Sequence, residues 1–369
     1  MLTTRTVAIH HVRAALRGAE RAGIDVAPLL ERSGIAASLL EVERARVSAD
    51  QFARLVKELW LVLDDEFIGF GPARSKVGTF AMMCHATVHC SKDLASALRR
   101  ASEFYALFPA GPHFRLEADG AHRADRADGV GGAGGGGGAH IVFDLPRDPD
   151  DDPDHFRAET LLIVAHRFSG WLIRRRIPLR RVELAYPAPP HVLEYDLLFG
   201  APCIFDAEAT ALVFDGALLG EPVLQDEAGI AAFLRRAPQD VLSRIDYGST
   251  TAASVRRLVG RSFPGTLPTE AEVAELLSVS PQTLRRRLAA EATSFQHIRD
   301  QMRRDHAIAA LAEGRTPIER ISEQLGFSEP SAFHRAFKRW TGATPRAYQP
   351  GADRRDADTG GESPAGKGR

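Results

Sequence analysis

The fold of this chain is decided by residues 326–339, which read GFSEPSAFHRAFKR. Phe333 and Phe337 are four residues apart, so they share one face of a helix, and that face is apolar. The opposite face carries the polar side chains Ser331, His334, Arg335 and Lys338. We therefore predict a helix over residues 329–340 that buries two phenylalanines and turns a basic face outward.

Three signals for helix starts precede or accompany this stretch. They are a capping box at Thr269 and Glu272, Ser280 before Pro281, and Thr316 with Pro317 and Glu319. These starts predict two pairs of short helices, 270–277 with 281–288 and 317–325 with 329–340. Each pair is joined by a turn of three or four residues, which is the pattern of a helix-turn-helix motif.

The two pairs repeat each other at a spacing of about 48 residues. Leu277, Val279 and Ser280 of the first pair correspond to Leu325, Phe327 and Ser328 of the second. Between them we predict one long helix from Ser294 to about Ala312, with Phe295, Ile298, Met302 and Ala309 on one side. Such a helix is about 27 Å long. With the bulk of each helix pair added, the separation of the two pairs is near one turn of DNA, ~34 Å, so they suit two successive major grooves.

The second helix of each pair is the predicted recognition helix. Because Leu284 and Leu288 share the buried face of the first, its arginines point outward. The predicted base contacts are Gln282, Arg285, Arg286, Ser331, His334 and Arg335, and the predicted phosphate contacts are Arg287, Lys338 and Arg339. An isolated arginine-rich face is usually a solvated surface, and only the repeat favours DNA. Two alternatives to DNA contact stay open: Ser331 as a residue of the helix start, and His334 as a capping or local hydrogen-bonding residue.

The quoted stretch, followed by Gly342, Thr344-Pro345 and Tyr348, resembles the DNA-binding domain of the AraC/XylS family of transcription regulators. The first unit is also similar to that family, although Ser278 stands where its turn usually carries glycine. The resemblance implies sequence-specific binding to double-stranded promoter DNA. It also implies a homodimer, and contact with RNA polymerase if the protein is an activator.

Residues 23 to about 214 resemble the arabinose-binding-type N-terminal domain of one branch of this family. The similarity rests on APLL at 27–30, SGI at 33–35, and GTF at 78–80 with the following amphipathic helix over 94–108. It implies an unidentified small-molecule effector, and Trp60, Phe80 and Tyr105 are candidates to line its pocket or to form core. Helical spacing also predicts a helix over 51–63, and strands are predicted over 139–145 and 181–186.

Length and charge divide the chain in the same way. At 369 residues the chain suits two domains. Its net charge is −1, but residues 246–349 contain 15 lysines and arginines against 11 acidic residues. We predict an α+β effector domain at 1–240, a linker at 241–248, an all-α domain of two helix-turn-helix units joined by a long helix at 249–349, and a disordered tail at 350–369.

Composition places the chain among folded cytoplasmic proteins. Neither an export signal nor an apolar run of about 20 residues is evident, and three cysteines are typical of a reducing compartment. The glycine-rich segment 121–139 is interpreted as a mobile loop, since no strand, loop and helix context for phosphate follows it. The acidic run from Asp148 to Asp154 is interpreted as a solvated loop.

A cluster of Cys84, His85, His89 and Cys90 has residue types that bind zinc or sense redox state. Adjacent Cys-His pairs point in different directions, so we favour apolar packing of the cysteines and predict no metal site and no cofactor. No set of nucleophile and base indicates an enzyme, so no catalytic residue is predicted. A redox or metal sensor based on Cys84 and Cys90 stays open as a variant of the regulator.

Overall fold

A computed structural model describes residues 6–109, 111–118, 137–145, 152–238, 250–262, 267–291 and 293–351, without the side chains of Leu193 and Asp196. The chain forms two compact units, Trp60–Arg257 and Met1–Leu59 together with Leu258–Arg369. The predicted linker, nearly all of the predicted tail and glycine loop, and most of the acidic run lie outside the described residues. The predicted domain boundaries stay a prediction.

The described residues contain fourteen α-helices and seven strands. The helices are α1 Ile9–Arg21, α2 Ala27–Ser33, α3 Ala49–Leu63, α4 Thr79–His89, α5 Leu94–Ala106, α6 Phe156–Leu172, α7 Tyr195–Phe199, α8 Glu227–Arg236, α9 Thr251–Gly260, α10 Glu270–Leu276, α11 Pro281–Ala290, α12 Phe295–Glu313, α13 Ile318–Gln324 and α14 Pro330–Thr341. The strands are β1 Thr6–Ala8, β2 Arg46–Ser48, β3 His113–Ala118, β4 Gly138–Asp144, β5 Leu179–Glu183, β6 Cys203–Ile204 and β7 Thr210–Asp215. The α+β region followed by helices confirms the predicted fold class.

The unit Trp60–Arg257 is built on a five-stranded sheet in the order β3-β4-β7-β5-β6. Its neighbouring strands are antiparallel except for β5 and β6, which are parallel. Alternate residues of β4 (Ala139, Ile141 and Phe143) are buried in the core, as the period of two requires. The strands predicted over 139–145 and 181–186 are therefore present, each beginning one or two residues earlier.

Helix α6 passes through the core of this unit and carries a buried histidine. His166 is 6% exposed, and its Nε2 donates a hydrogen bond of 2.8 Å to the carbonyl oxygen of Ile177. Burial lowers the pKa of His166 from 6.5 to about 4, and the charges of Arg167 and Arg176 act in the same direction. The folded state therefore holds this imidazole neutral.

We expect this histidine to make the protein less stable in acid. The unfolded chain takes up a proton near pH 6.5 and the folded chain only near pH 4, so the free energy of unfolding falls by about 1.4 kcal/mol per pH unit between these values. The free energy of unfolding, measured with denaturant at several pH values from 7 to 4, should fall less steeply with decreasing pH in His166→Gln than in the wild type. Equal dependence of the free energy of unfolding on pH in the two proteins would contradict the assignment.

The other unit combines the first and last parts of the chain. β1 and β2 pair antiparallel, with Val7 opposite Val47, and this β1–β2 ribbon lies against α12. The hydroxyl of Thr6 accepts a 2.7 Å hydrogen bond from Arg46 Nε and donates one of 2.7 Å to Asp305 Oδ1. This association of residues 6–8 and 46–48 with the C-terminal helices was not predicted from the sequence.

Helix α12 begins at Phe295, where the side chain of Ser294 accepts a hydrogen bond from the backbone of His297, and ends at Glu313 before Gly314. Of the four residues predicted on one side, Phe295 and Ile298 are buried, whereas Met302 and Ala309 are only partly buried. The C-terminal half buries Ala307, Ile308 and Leu311 instead. The four residues predicted on one side are therefore not equally buried, because α12 packs against β1, β2, α13 and α14 rather than against one partner.

Candidate DNA-binding surface

The first predicted recognition helix is α11, and its start is fixed by the predicted cap. Ser280 Oγ accepts a hydrogen bond of 3.1 Å from the backbone of Thr283, and Pro281 occupies the first turn. Leu284 and Leu288 are at most 1% exposed. The four predicted DNA contacts of this helix, Gln282, Arg285, Arg286 and Arg287, are all exposed.

The second predicted recognition helix is α14, and it is held by an aromatic cluster. Phe333 and Phe337 are fully buried with ring centroids 5.6 Å apart, and Tyr348 meets Phe337 edge to face at 5.1 Å. The hydroxyl of Tyr348 accepts a hydrogen bond of 3.3 Å from the backbone of Arg46 in β2. The five predicted contacts of α14 are exposed: Ser331, His334, Arg335, Lys338 and Arg339.

The helix starts agree with prediction at two of three places. The capping box of Thr269 and Glu272 is present, with both reciprocal hydrogen bonds. Helix α13 instead has Pro317 at its N-cap, with no side-chain capping bond, so the predicted cap by Thr316 was wrong. Proline has no side-chain acceptor, and α13 begins one residue later than predicted.

Charge partners distinguish the arginines of α11. Arg285 Nε lies 2.9 Å from Glu270 Oε1, and its Nη2 lies 3.0 Å from Glu270 Oε2, so the guanidinium is held by a carboxylate of α10. Among the described residues, neither Arg286 nor Arg335 has a salt-bridge partner. Ser331 Oγ donates to Glu329 Oε2 at 3.1 Å, which is the local role at the helix start that was left open.

The turns of the two units adopt the same unusual backbone conformation. Ser278 has φ +55° and Gly326, at the corresponding position, has φ +77°. Both lie in the left-handed region, where a residue with a Cβ is strained by about 1 kcal/mol or more. The first turn therefore keeps the left-handed geometry although it lacks glycine.

We expect the two reciprocal substitutions in these turns to change stability in opposite directions. Ser278→Gly should raise the free energy of unfolding by about 0.5–1 kcal/mol, because strain is removed at some cost in chain entropy. Gly326→Ser should lower it by about 1 kcal/mol. Thermal unfolding of the two variants and the wild type measures both effects, and a loss of stability in Ser278→Gly would show that the serine side chain compensates for the strain.

The three residues proposed for an effector pocket are arranged around one acidic residue, Glu66. Glu66 Oε2 accepts from the backbone of Phe80 at 2.7 Å, and the backbone oxygen of Glu66 accepts from Trp60 Nε1 at 2.9 Å. Burial raises the pKa of Tyr105, and the nearby charge of Glu66 raises it further. Tyr105 belongs to the hydrophobic core of this unit, and Phe80 packs against that core.

The Cys-His cluster separates into two parts. Cys84 is fully buried, and burial followed by the charge of Glu66 raises the pKa of its thiol far above the usual range, while Cys90 is exposed. His85 and His89 meet Glu227 of α8, which was not among the predicted residues. A protonated buried thiol is a poor metal ligand and a poor redox sensor.

A second polar group in the same unit was also missed. Glu159, 1% exposed, accepts hydrogen bonds on Oε1 from Tyr195 OH at 2.5 Å and from His191 Nε2 at 2.9 Å. Tyr186 OH lies 3.0 Å from Tyr195 OH, and His155 stacks on Tyr186 with ring centroids 3.8 Å apart. The hydrogen-bond partners of Glu159 are brought together by the tertiary fold, and no local sequence motif predicts them.

Two helix pairs with matched turns and outward basic faces define a helix-turn-helix protein. Residues 23–223 match the family described as the arabinose-binding domain of AraC transcription regulator, N-terminal, and residues 273–350 match a helix-turn-helix domain family. The first match covers more than half of the chain. The chain belongs to the AraC family of transcription regulators.

The similar proteins include regulators from Pseudomonas aeruginosa. The chain is 29% identical to the ornithine utilization regulator over 194 residues, 53% of this chain and 57% of that protein. It is 39% identical to the HTH-type transcriptional regulator VqsM over 88 residues, 24% of this chain and 27% of that protein. The matched segments thus span little more than half of these relatives at most. A further similarity is to the crystal structure of transcriptional regulator CdpR, also from Pseudomonas aeruginosa. The match covers 91% of this chain and 96% of the CdpR chain, with 18% sequence identity and a TM-score of 0.29.

Among the described residues, no helix is both long enough and apolar enough to cross a membrane.

Proposed function

We propose that this protein binds promoter DNA sequence-specifically through α11 and α14 and regulates transcription in response to a small-molecule effector. The observation that carries the proposal is the matched exposure of Arg286 and Arg335 on two repeated recognition helices. A guanidinium pairs with guanine O6 and N7 through two hydrogen bonds in the major groove. Both side chains lack a salt-bridge partner among the described residues, so neither has to break one on binding.

The joining helix supports reading of two successive grooves by one chain. α12 contains 19 residues and is therefore about 28 Å long. When the width of the two helix-turn-helix motifs is added to the length of α12, the distance between the two recognition helices suits the ~34 Å spacing of major grooves on one side of DNA. Gln282, Arg285, Ser331 and His334 complete the proposed base contacts, and Arg287, Lys338 and Arg339 the proposed phosphate contacts.

The effector belongs to the N-terminal part in this proposal, because that part matches an effector-binding family domain. A homodimer would double the length of DNA contacted. RNA polymerase is a partner if the protein activates, and the protein acts in the cytoplasm.

We expect Arg286→Ala and Arg335→Ala each to weaken specific DNA binding by ~1–3 kcal/mol. Footprinting on the regions flanking the gene, at one salt concentration, gives the protected site and its affinity. Arg320→Ala is the matched control, since Arg320 is also exposed but lies on α13 and pairs with Glu323. Protection that survives both substitutions, or that the control loses equally, would contradict the roles of these helices.

The flanking basic residues should behave differently. Arg287→Ala, Lys338→Ala and Arg339→Ala should weaken binding to specific and unspecific DNA to a similar degree, because a phosphate contact carries no base information. Each should also reduce the slope of log K against log salt by about 1. Binding titrations at several salt concentrations measure this slope, and a change confined to the specific site would reassign the residue to a base contact.

A further inference from the structure

Three metal-ligating side chains converge on the surface of the unit Trp60–Arg257. His85 and His89 lie four residues apart on α4, so both face the same side of that helix. Their rings are nearly parallel, with centroids 5.9 Å apart. Glu227, in the first turn of α8, places one carboxylate oxygen, Oε2, 3.3 Å from His85 Nδ1 and 3.1 Å from His89 Nε2.

The spacing of these atoms suits a first-row transition metal. Around a tetrahedral Zn²⁺ with bonds of about 2.0–2.1 Å, neighbouring ligand atoms are about 3.3 Å apart. The three ligand atoms here all lie within 4.8 Å of one another. Two imidazoles and one carboxylate are ligands that zinc, cobalt and nickel accept, whereas magnesium and calcium prefer oxygen alone.

The backbone that carries Glu227 is fixed by a helix cap. Asp226 caps α8 by accepting a hydrogen bond of 2.8 Å from the backbone of Gly229, which fixes the turn that carries Glu227. Farther along α8, Phe233 contacts Phe80 of α4, with ring centroids 6.1 Å apart. The two helices that supply the ligands are therefore packed against each other by an aromatic contact.

The site is open on one side. The side chains of His85, His89 and Glu227 are 37%, 49% and 69% exposed, so a metal reaches them without unfolding of the unit. The buried Cys84 is not among the converging ligands. Three protein ligands with an open fourth position are typical of zinc sites that keep a water or bind a further group.

We propose that His85 Nδ1, His89 Nε2 and a carboxylate oxygen of Glu227 form a binding site for a divalent first-row transition cation such as Zn²⁺. The bound cation joins the C-terminal half of α4 to the first turn of α8. Because a cation bound only by the folded state stabilises that state, occupancy raises the unfolding temperature. The site does not depend on DNA binding, so it is tested without DNA.

The test is a titration of the full-length, metal-free protein with Zn²⁺ by calorimetry, and with Co²⁺ by its visible d–d absorption. We expect saturation at one cation per chain, a rise in the unfolding temperature with Zn²⁺, and no comparable response to Mg²⁺. His89→Gln and Glu227→Gln should each weaken binding more than about tenfold. Both residues are exposed, so these variants should fold, and circular dichroism confirms that they do.

His113→Gln is the matched control, because it removes an exposed histidine of β3 in the same unit. It should bind Zn²⁺ as the wild type does. The proposal is overturned if the wild type binds no Zn²⁺, or if His89→Gln and Glu227→Gln bind as tightly as the control. The second result would show that the two imidazoles only hydrogen-bond to Glu227. If the protein protects no DNA in footprinting but binds Zn²⁺, only the DNA-binding proposal is contradicted. If it binds DNA but no Zn²⁺, only the metal-site proposal is contradicted.

Discussion

The unit formed by Met1–Leu59 and Leu258–Arg369 depends on the burial of α12. Its first turn buries Phe295 and Ile298, its last turns bury Ala307, Ile308 and Leu311, and between them most side chains are half-buried. α12 contacts α13, α14 and the β1–β2 ribbon. α12 is therefore one of the elements that fix the direction in which α14 presents Arg335. The hydrogen bond from Thr6 to Asp305 and the contact of Tyr348 with Phe337 extend that packing to the ribbon and to the recognition helix.

The spacing of residues along the sequence predicted the features that depend on neighbouring residues, namely buried helix faces and helix caps. The spacing of Leu284 with Leu288 and of Phe333 with Phe337 indicated the buried faces of both recognition helices, because a helix of known period leaves the remaining side chains outside. Caps at Thr269 and Ser280 were readable because each involves residues three positions apart. The boundaries of these helices differ from prediction by one or two residues.

What could not be predicted depends on contacts between distant residues. Thr6 and Asp305 are 299 positions apart, and His89 and Glu227 are 138 apart, so no periodicity joins them. The hydrogen bonds of Glu159 also join residues that are far apart in the sequence. The same is true of the contacts around α12 that make Ala307 rather than Ala309 a buried residue.

Whether an arginine is paired is also a tertiary property. Arg285 and Arg286 are neighbours in the sequence, yet only Arg285 is held by Glu270 among the residues that the structure describes. An exposed pair of this kind contributes little free energy to the folded state, so Glu270 orients the side chain of Arg285 more than it stabilises the helix pair.

The ribbon has a consequence for how the protein is made. Ribosomes add about 5–20 residues per second, so the partner of Thr6 emerges roughly 15–60 s after Thr6 itself. During that interval Val47, which is fully buried in the finished unit, has no C-terminal helices to pack against. The intervening residues can complete their sheet first. The ribbon therefore reaches its final packing against α12 only after the ribosome has made most of the chain.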